Sequence, residues 1–198
     1  MDGPPIPRLG TDRLVLREWQ DADLAPFAAL NADLRVAEFL SAPLDRAASD
    51  ALVDRIGEHW ATDGHGLWAV ERVDDGAFLG FVGLALHTFE APFMPRIEVG
   101  WRLAPAAWGH GYATEAARAA LRFGFEELGL AEIVSFTVPA NAKSRAVMER
   151  LGMTRDPADD FDHPRFPDGH RLRRHVLYRL SRPEWARLAP AEPLVAPG

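Results

Sequence analysis

The sequence predicts a mixed α/β (α+β) domain built on one central sheet, and three observations predict it. Short strand-like runs alternate with longer runs whose apolar residues recur at helical spacing. Their order is strand, two helices, a run of strands, then strand–helix–strand–helix–strand, which packs helices against a single sheet. A glycine-containing turn, Trp108-Gly109-His110-Gly111-Tyr112, sits where a strong strand meets a helix.

The elements follow in order. Leu14-Val15-Leu16-Arg17-Glu18-Trp19 reads as the first strand. Asp21 is placed to cap a helix over residues 22–30, which Pro26 should shorten or bend. A second helix spans residues 47–61, with Ala48, Leu52, Ile56 and Trp60 four apart on one face and Gly64 to Gly66 ending it. Residues 67–70 and 78–86 are strands, and Asp74-Asp75-Gly76 between them predicts an antiparallel hairpin. Residues 87–96 form a loop with Pro92 and Pro95. Its Phe89, Phe93 and Met94 either tuck under the domain or meet a substrate or second subunit.

Residues 97–103 are a strand, 105–112 a turn and 114–127 a helix closed by Gly129. Residues 133–138 are a strand, and a helix from 141 or 142 to 151 ends at Gly152. A loop rich in Asp and Pro covers 156–170, and 174–180 is the last strand. Residues 1–10 are expected to be a flexible start, 11–182 a single domain and 183–198 a Pro-rich tail, loose after Trp185.

Composition narrows the function classes. A chain of 198 residues, 47% hydrophobic, fits one domain with a real core and excludes wholesale disorder. Twenty-two basic against 29 acidic residues give a net charge of −7, unsuited to general nucleic-acid binding and mildly favourable to a cationic partner such as an amine. Cysteine is absent, which excludes disulfides, thiolate metal sites and Cys nucleophiles and fits a reducing compartment. No stretch approaches the roughly 20 apolar residues that span a bilayer. The start holds Pro4, Pro5 and Pro7 and no apolar core, unlike a secretory signal. The expectation is a cytoplasmic protein with neither nucleic acid nor membrane as partner.

Two stretches carry chemistry. The first is Ile97-Glu98-Val99-Gly100-Trp101-Arg102-Leu103, followed by Trp108 through Glu115. Glycines lack a Cβ, so main-chain N–H groups can approach an anion closely. The following helix start adds unpaired donors and a positive dipole end. Strand, glycine turn and helix together make a phosphate or diphosphate cradle, although a bare Gly-x-Gly serves tight packing equally well. A dinucleotide fingerprint would need Gly or Ala where Thr114 stands, and the Gly-Lys-Ser/Thr of a P-loop is absent. The second stretch is Asn141 through Met153. Asn141 and Ser144 share a face at a helix start, where Asn141 suits an N-cap and Ser144 suits a solvated hydroxyl.

These passages, with the opening Thr11-Asp12-Arg13-Leu14-Val15-Leu16-Arg17, resemble the GNAT superfamily of acyl-CoA N-acyltransferases, and within it the RimJ/RimL-like group. The likeness covers roughly residues 11–180. It implies a largely antiparallel sheet of about seven strands flanked by helices, splayed between the fourth and fifth strands. It implies acetyl-CoA as co-substrate, its pantetheine arm paired with the backbone of Trp101, Arg102 and Leu103. The amides of Gly109, His110, Gly111, Tyr112, Ala113 and Thr114 would hold the diphosphate, and Asn141 would hydrogen-bond the arm. A homodimer is implied by the resemblance alone.

Two departures stand out. The superfamily often carries Gln or Arg where this chain has Ala106, and many relatives carry a proton-donating Tyr where this chain has Met148. The RimJ/RimL-like group suggests Ser144 as donor instead. Glu98 is the candidate base, because an alkylamine is mostly protonated at neutral pH and must lose that proton. Its alternative is structural, an ion pair with Arg96 or Arg102. The expected activity is acetyl transfer from acetyl-CoA to a primary amine, either a protein N-terminus or a small amine, by direct attack in a ternary complex. A non-catalytic acyl-CoA sensor on the same fold is the alternative. His163, His170 and His175 lie near Asp159, Asp160 and Asp162, but the spacing matches no standard metal site. That loop is read as solvated or as a wall of the acceptor pocket, and no metal is expected.

Overall fold

The computed structural model describes residues 5–188. Strand β1 (Leu9–Gly10) pairs with β2 (Leu14–Arg17), β2 with β3 (Leu67–Arg72), and β3 with β4 (Phe78–His87), all antiparallel. β4 runs antiparallel to β5 (Arg96–Leu103) from Gly80↔Leu103 to His87↔Arg96. β6 (Glu132–Thr137) lies parallel to β5, β8 (Arg174–Ser181) antiparallel to β6, and β7 (Phe161–Asp162) on the outer edge. The order is β1-β2-β3-β4-β5-β6-β8-β7. Eight strands stand against about seven expected, and two of the eight are two-residue edges.

The β5–β6 junction is held by one register pair, Glu98↔Val134. Past it no ladder joins the two strands, so the edge of β5 facing β6 keeps main-chain donors and acceptors without sheet partners on that side. This is the splay expected between the fourth and fifth strands of the sequence.

The helices depart from expectation in informative ways. Helix α1 (Asp21–Ala32) begins at Asp21 rather than being capped by it, and continues through Pro26. Phe27 and Leu30 explain its length: both are buried against Phe81 of β4. α2 (Leu34–Ala37) is a single turn. α3 (Arg46–Asp63) is capped by Asp45, whose Oδ1 accepts from the Ala48 N–H at 2.8 Å, and ends at Gly64 with φ 69°. Its stripe holds at Leu52, Ile56 and Trp60, but Ser49 rather than Ala48 is buried at the start. The reason is helical drift, because four-residue steps run ahead of 3.6 residues per turn.

α4 (Tyr112–Arg122) is followed by a π turn over Phe123–Glu127 instead of continuing as one α-helix. The wider turn puts both Phe123 and Phe125 in the core, with Gly124 packed where a Cβ would lie 2.6 Å from Ile133 Cδ1. α5 (Ala142–Arg150) follows β6. The folded chain extends beyond residues 11–182 at both ends. The Pro7 carbonyl accepts from the Trp68 indole at 2.7 Å, and α6 (Arg182–Leu188) buries Trp185 against Phe125. The rest of the expected flexible start and tail, residues 1–4 and 189–198, lies outside the described residues.

The sheet has two unlike faces. Val82, Val99, Leu103 and Ile133 face the main core with α4 and α5. Glu98, Gly100 and Arg102 point to the other face, because side chains alternate along a strand. On that face Phe93, Val134, Phe161 and Leu177 make a second cluster, with Phe89, Met94 and Phe136 packed against it. The apolar residues of the 87–96 loop therefore do tuck under the domain.

Candidate active site

Just past β5, the indole N–H of Trp108 donates to the Leu103 carbonyl at 2.8 Å and fixes the turn. Gly109 and Gly111 then adopt φ of 81° and 82°, left-handed values that glycine takes without a Cβ penalty. Gly111 is the N-cap of α4 and offers no side chain to its first turn. The N–H groups at the start of an 11-residue helix therefore face outward without an internal cap, as an anion cradle needs.

Arg13 braces this turn from the start of β2. Its Nη1 donates to the His110 carbonyl at 3.0 Å, and its Nε and Nη2 reach Glu115 at 2.7 and 2.5 Å. The Thr11 hydroxyl donates to the same Glu115 carboxylate at 2.6 Å, and the Arg13 guanidinium lies 4.8 Å from the centre of the Tyr112 ring. On the other side Lys143, the chain's only lysine, sits 4.0 Å over the Trp108 ring. Two cationic side chains thus border the glycine turn in a chain of net negative charge.

At the start of α5, Asn141 is an N-cap: its Oδ1 accepts from the Ser144 N–H at 3.2 Å. Its Nδ2 donates to Thr137 Oγ1 and Ser144 Oγ, both at 3.1 Å. Asn141 thereby spends both donors inside the protein and holds Ser144 in place. The Ser144 oxygen accepts from Asn141, so the hydroxyl hydrogen is free to point elsewhere. Met148, one turn along, is buried in the core.

Glu98 sits at the apex of the splay. Its Oε1 faces the N–H of Phe136 on β6 at a long 3.4 Å, just beyond the last ladder pair. Its Oε2 lies 2.7 Å from His87 Nε2. Neither arginine proposed as its partner takes it: Arg96 pairs with Glu132 at 3.0 Å, and Arg102 donates to Asn31 at 2.7 Å. Burial opposes charge on His87, but the hydrogen bond and negative charge of Glu98 outweigh it and raise the imidazole above its ordinary value.

His87 packs edge-on to Phe136 and Phe89, and Phe89 stacks on His163 at 4.4 Å. His175 lies 5.1 Å from His163. Burial, then the nearby charges of His175, His87 and Arg165, push His163 down to about 4, and burial also lowers His175. The solvated reading holds for the exposed His170 but is corrected for His163 and His175, which belong to an aromatic wall beside Glu98. The neighbouring carboxylates are taken by arginines: Asp159 by Arg179, Asp160 by Arg155, Asp162 by Arg173 and Arg174. Among the described residues no group of three His, Asp or Glu converges as a metal site would need.

With this geometry in hand, comparison places the chain. The family model described as Acetyltransferase (GNAT) domain matches residues 13–154, and the chain belongs to that family. Relatives of this chain are named as acetyltransferases, and the matched region is an acyltransferase domain. It is 40% identical over 131 residues to the FsC-acetyl coenzyme A-N(2)-transacetylase of Aspergillus fumigatus, covering 63% of this chain. The match spans 54% of that relative, about half its length. It is 34% identical over 147 residues to the Bacillus subtilis protein YkkB, covering 74% of this chain and 84% of the relative. Among solved structures, an acetyltransferase from Agrobacterium tumefaciens superposes with a TM-score of 0.71 at 32% identity, over 88% of this chain and 94% of that one. A ribosomal-protein-S5-alanine acetyltransferase from Vibrio fischeri, 16% identical, shares the fold with a TM-score of 0.71 over 90% of this chain and 98% of that one.

Trp101, Arg102 and Leu103 lie on the splayed part of β5, residues 109–114 form the turn and helix start beyond it, and Asn141 and Ser144 open α5 after β6. Sequence reasoning missed His87 and the bracing role of Arg13, and it offered the 156–170 loop as a wall without its aromatic partners. His87 was within reach: in the β4–β5 register Ala85 opposes Glu98, which makes His87 its diagonal neighbour. No short-range signal links Arg13 to Glu115, 102 residues away.

Proposed function

We propose that the protein transfers an acetyl group from acetyl-CoA to a primary amine by direct attack in a ternary complex. One observation carries the reading: a β5 edge left unpaired beyond Glu98 leads straight into a glycine turn and an uncapped helix start. An extended pantetheine arm can pair with such an edge as an added strand, and the diphosphate can meet the amides of residues 109–114. Lys143, which pairs with no carboxylate among the described residues, favours the same anion, while Arg13 is spent on Glu115 and braces the turn. The N(2)-transacetylase name of the fungal relative agrees with amine acetylation.

Residue roles follow from position. Glu98, open to the far face of the sheet, accepts the proton released as the amine nitrogen bonds to the thioester carbonyl carbon, directly or through water. His87 holds the carboxylate in place and offers the proton a way to solvent. A main-chain N–H of the β5 edge polarises the carbonyl. Ser144 donates its free hydrogen to the departing sulfur. Met148 is buried and lacks a proton to give. The test is calorimetric titration with acetyl-CoA, followed by acetyl transfer to a panel of free amines and peptide N-termini. The reading expects binding and turnover on at least one class of amine. Tight binding with no turnover on any acceptor would make the chain a sensor, and no binding at all would remove the reading.

A further inference from the structure

One cation on the open face has no anionic partner. The Arg102 guanidinium donates through Nη1 to Asn31 Oδ1 at 2.7 Å and lies over the Phe81 ring at 5.3 Å. No carboxylate pairs with it among the described residues, whereas Arg13, Arg17, Arg96 and Arg179 all pair with one or more. Its support is built in. Asn31 is fully buried and donates to the equally buried Ser49 at 2.9 Å, so its oxygen is aimed at Arg102. One anchoring hydrogen bond and one stacked ring hold the planar fork and leave its remaining donors for a visitor. Burial pulls the group down to about 10, so it stays charged at neutral pH while lacking a counter-ion.

The placement of this cation is specific. Arg102 and Glu98 point to the same face of one strand with Gly100 between them. A Cβ at Gly100 would meet nothing within 4 Å except Glu98 Oε2 at 4.0 Å. The strand therefore presents a carboxylate, a bare gap and a guanidinium in line. Their Cα atoms are about 13 Å apart at 3.3 Å per residue, and the Glu98 carboxylate reaches to the edge of the Gly100 gap. The loop carrying the aromatic wall crosses towards the same side, with Arg171 Nη1 donating to the Glu38 carbonyl at 2.7 Å.

We infer that the acceptor is an amine that also carries a carboxylate, with its amine over Gly100 beside Glu98 and its carboxylate on Arg102. This rests on the acetyl-transfer reading and narrows it to acceptors charged at both ends. Arg102 is then a specificity-determining residue, acting through its side chain while its backbone lies on the cofactor edge.

The experiment compares matched pairs. ω-Amino acids of increasing chain length and their carboxamides are assayed with acetyl-CoA, and each is also titrated against the CoA-saturated protein by thermal shift. One charge-assisted guanidinium–carboxylate contact predicts a roughly ten- to hundredfold preference for the carboxylate in kcat/KM at the best-fitting length. It also predicts a larger Tm rise with the amino acid than with its carboxamide. Arg102→Gln should collapse the preference towards one, and Arg102→Lys should retain part of it. Equal use of both members of every pair by the wild type overturns the inference and leaves acetyl transfer standing. Preferential binding without any transfer does the reverse. If Arg102→Gln weakens acetyl-CoA binding but keeps the preference, the guanidinium serves the cofactor and the inference fails.

Discussion

Replacing Glu98 by Gln separates the two roles that a carboxylate at the splay could have. The side chains are nearly isosteric, so a carbonyl oxygen can still face the Phe136 N–H and the apex keeps its shape. The negative charge is lost, and with it the 2.7 Å pair to His87 and the ability to accept a proton. The stability cost should be small, about 0–1 kcal/mol, because both partners keep some solvent contact. The catalytic cost should be large. A positioned general base contributes roughly 10²–10⁴ in rate, or about 3–5 kcal/mol. An alkylamine with a pKa near 10 is neutral in only about one part in a thousand at pH 7. The base therefore matters most at neutral pH, and the deficit should shrink as alkali deprotonates the amine. The assay is kcat between pH 6 and 10 at saturating acetyl-CoA and acceptor, with acetyl-CoA affinity measured alongside. We expect at least a hundredfold loss near pH 7, largely recovered by pH 10, with affinity within about twofold. An undiminished kcat at pH 7 would remove Glu98 as the base, and a tenfold weaker cofactor would recast it as a binding group.

Three further predictions follow from the site. Gly111→Asp forces a side chain into φ 82°, about 1–2 kcal/mol of strain, and sets a negative charge beside the proposed diphosphate site. It should abolish acetyl-CoA binding in a calorimetric titration, and wild-type affinity would discredit the cradle. Ser144→Ala should lower kcat by about 10²–10³ with acetyl-CoA affinity kept. A kcat within threefold of wild type would return Ser144 to a merely solvated hydroxyl. His163 is held down to about 4, so folding disfavours its protonation. The stability it allows is complete above the unfolded value near 6.5 and is lost as the pH falls from there towards 4. For a partly exposed ring this amounts to about 1 kcal/mol. The Tm of His163→Gln should fall less than that of wild type between pH 7 and 4.5, and parallel curves would refute the assignment.

The fold was legible because its determinants are local. Hairpin turns, glycine stops and the apolar periods of α3 and α4 lie within a few residues of the elements they define. The glycine turn was legible for the same reason, since positive φ leaves its mark in single residues. The open face of the sheet was less legible. It is assembled from β4, β5, β6, the 88–95 loop and the 156–173 loop, whose residues meet only once the sheet is formed. Asp160 shows the difficulty. Three histidines follow it in sequence, yet Arg155 takes the carboxylate, and the imidazoles of His163, His170 and His175 pack on Phe89, Phe166 and Phe136. Spacing shows which residues are near along the chain, and ion pairs decide which of them remain free.

Strand β5 serves three surfaces at once, and its register is what keeps them apart. Val99 and Leu103 point into the core, Glu98 and Arg102 to the open face, and the main-chain edge towards β6. A slip of one residue against β4 would drive the carboxylate and guanidinium into the core and expose two apolar side chains. Gly80 guards against this at the Arg102 end. It holds φ 130°, and a Cβ there would lie 2.1 Å from the Arg102 carbonyl oxygen. That clash is with backbone, so no rotamer change relieves it. Gly80→Ala must part β4 from β5 beside Arg102 or distort both. We expect a loss of about 2–4 kcal/mol, a Tm lower by roughly 5–15 °C, and a weaker site in whatever fraction folds. If the variant melts with the wild type, close packing at Gly80 is not what holds β5 in register, and the arrangement of Glu98 and Arg102 needs another cause.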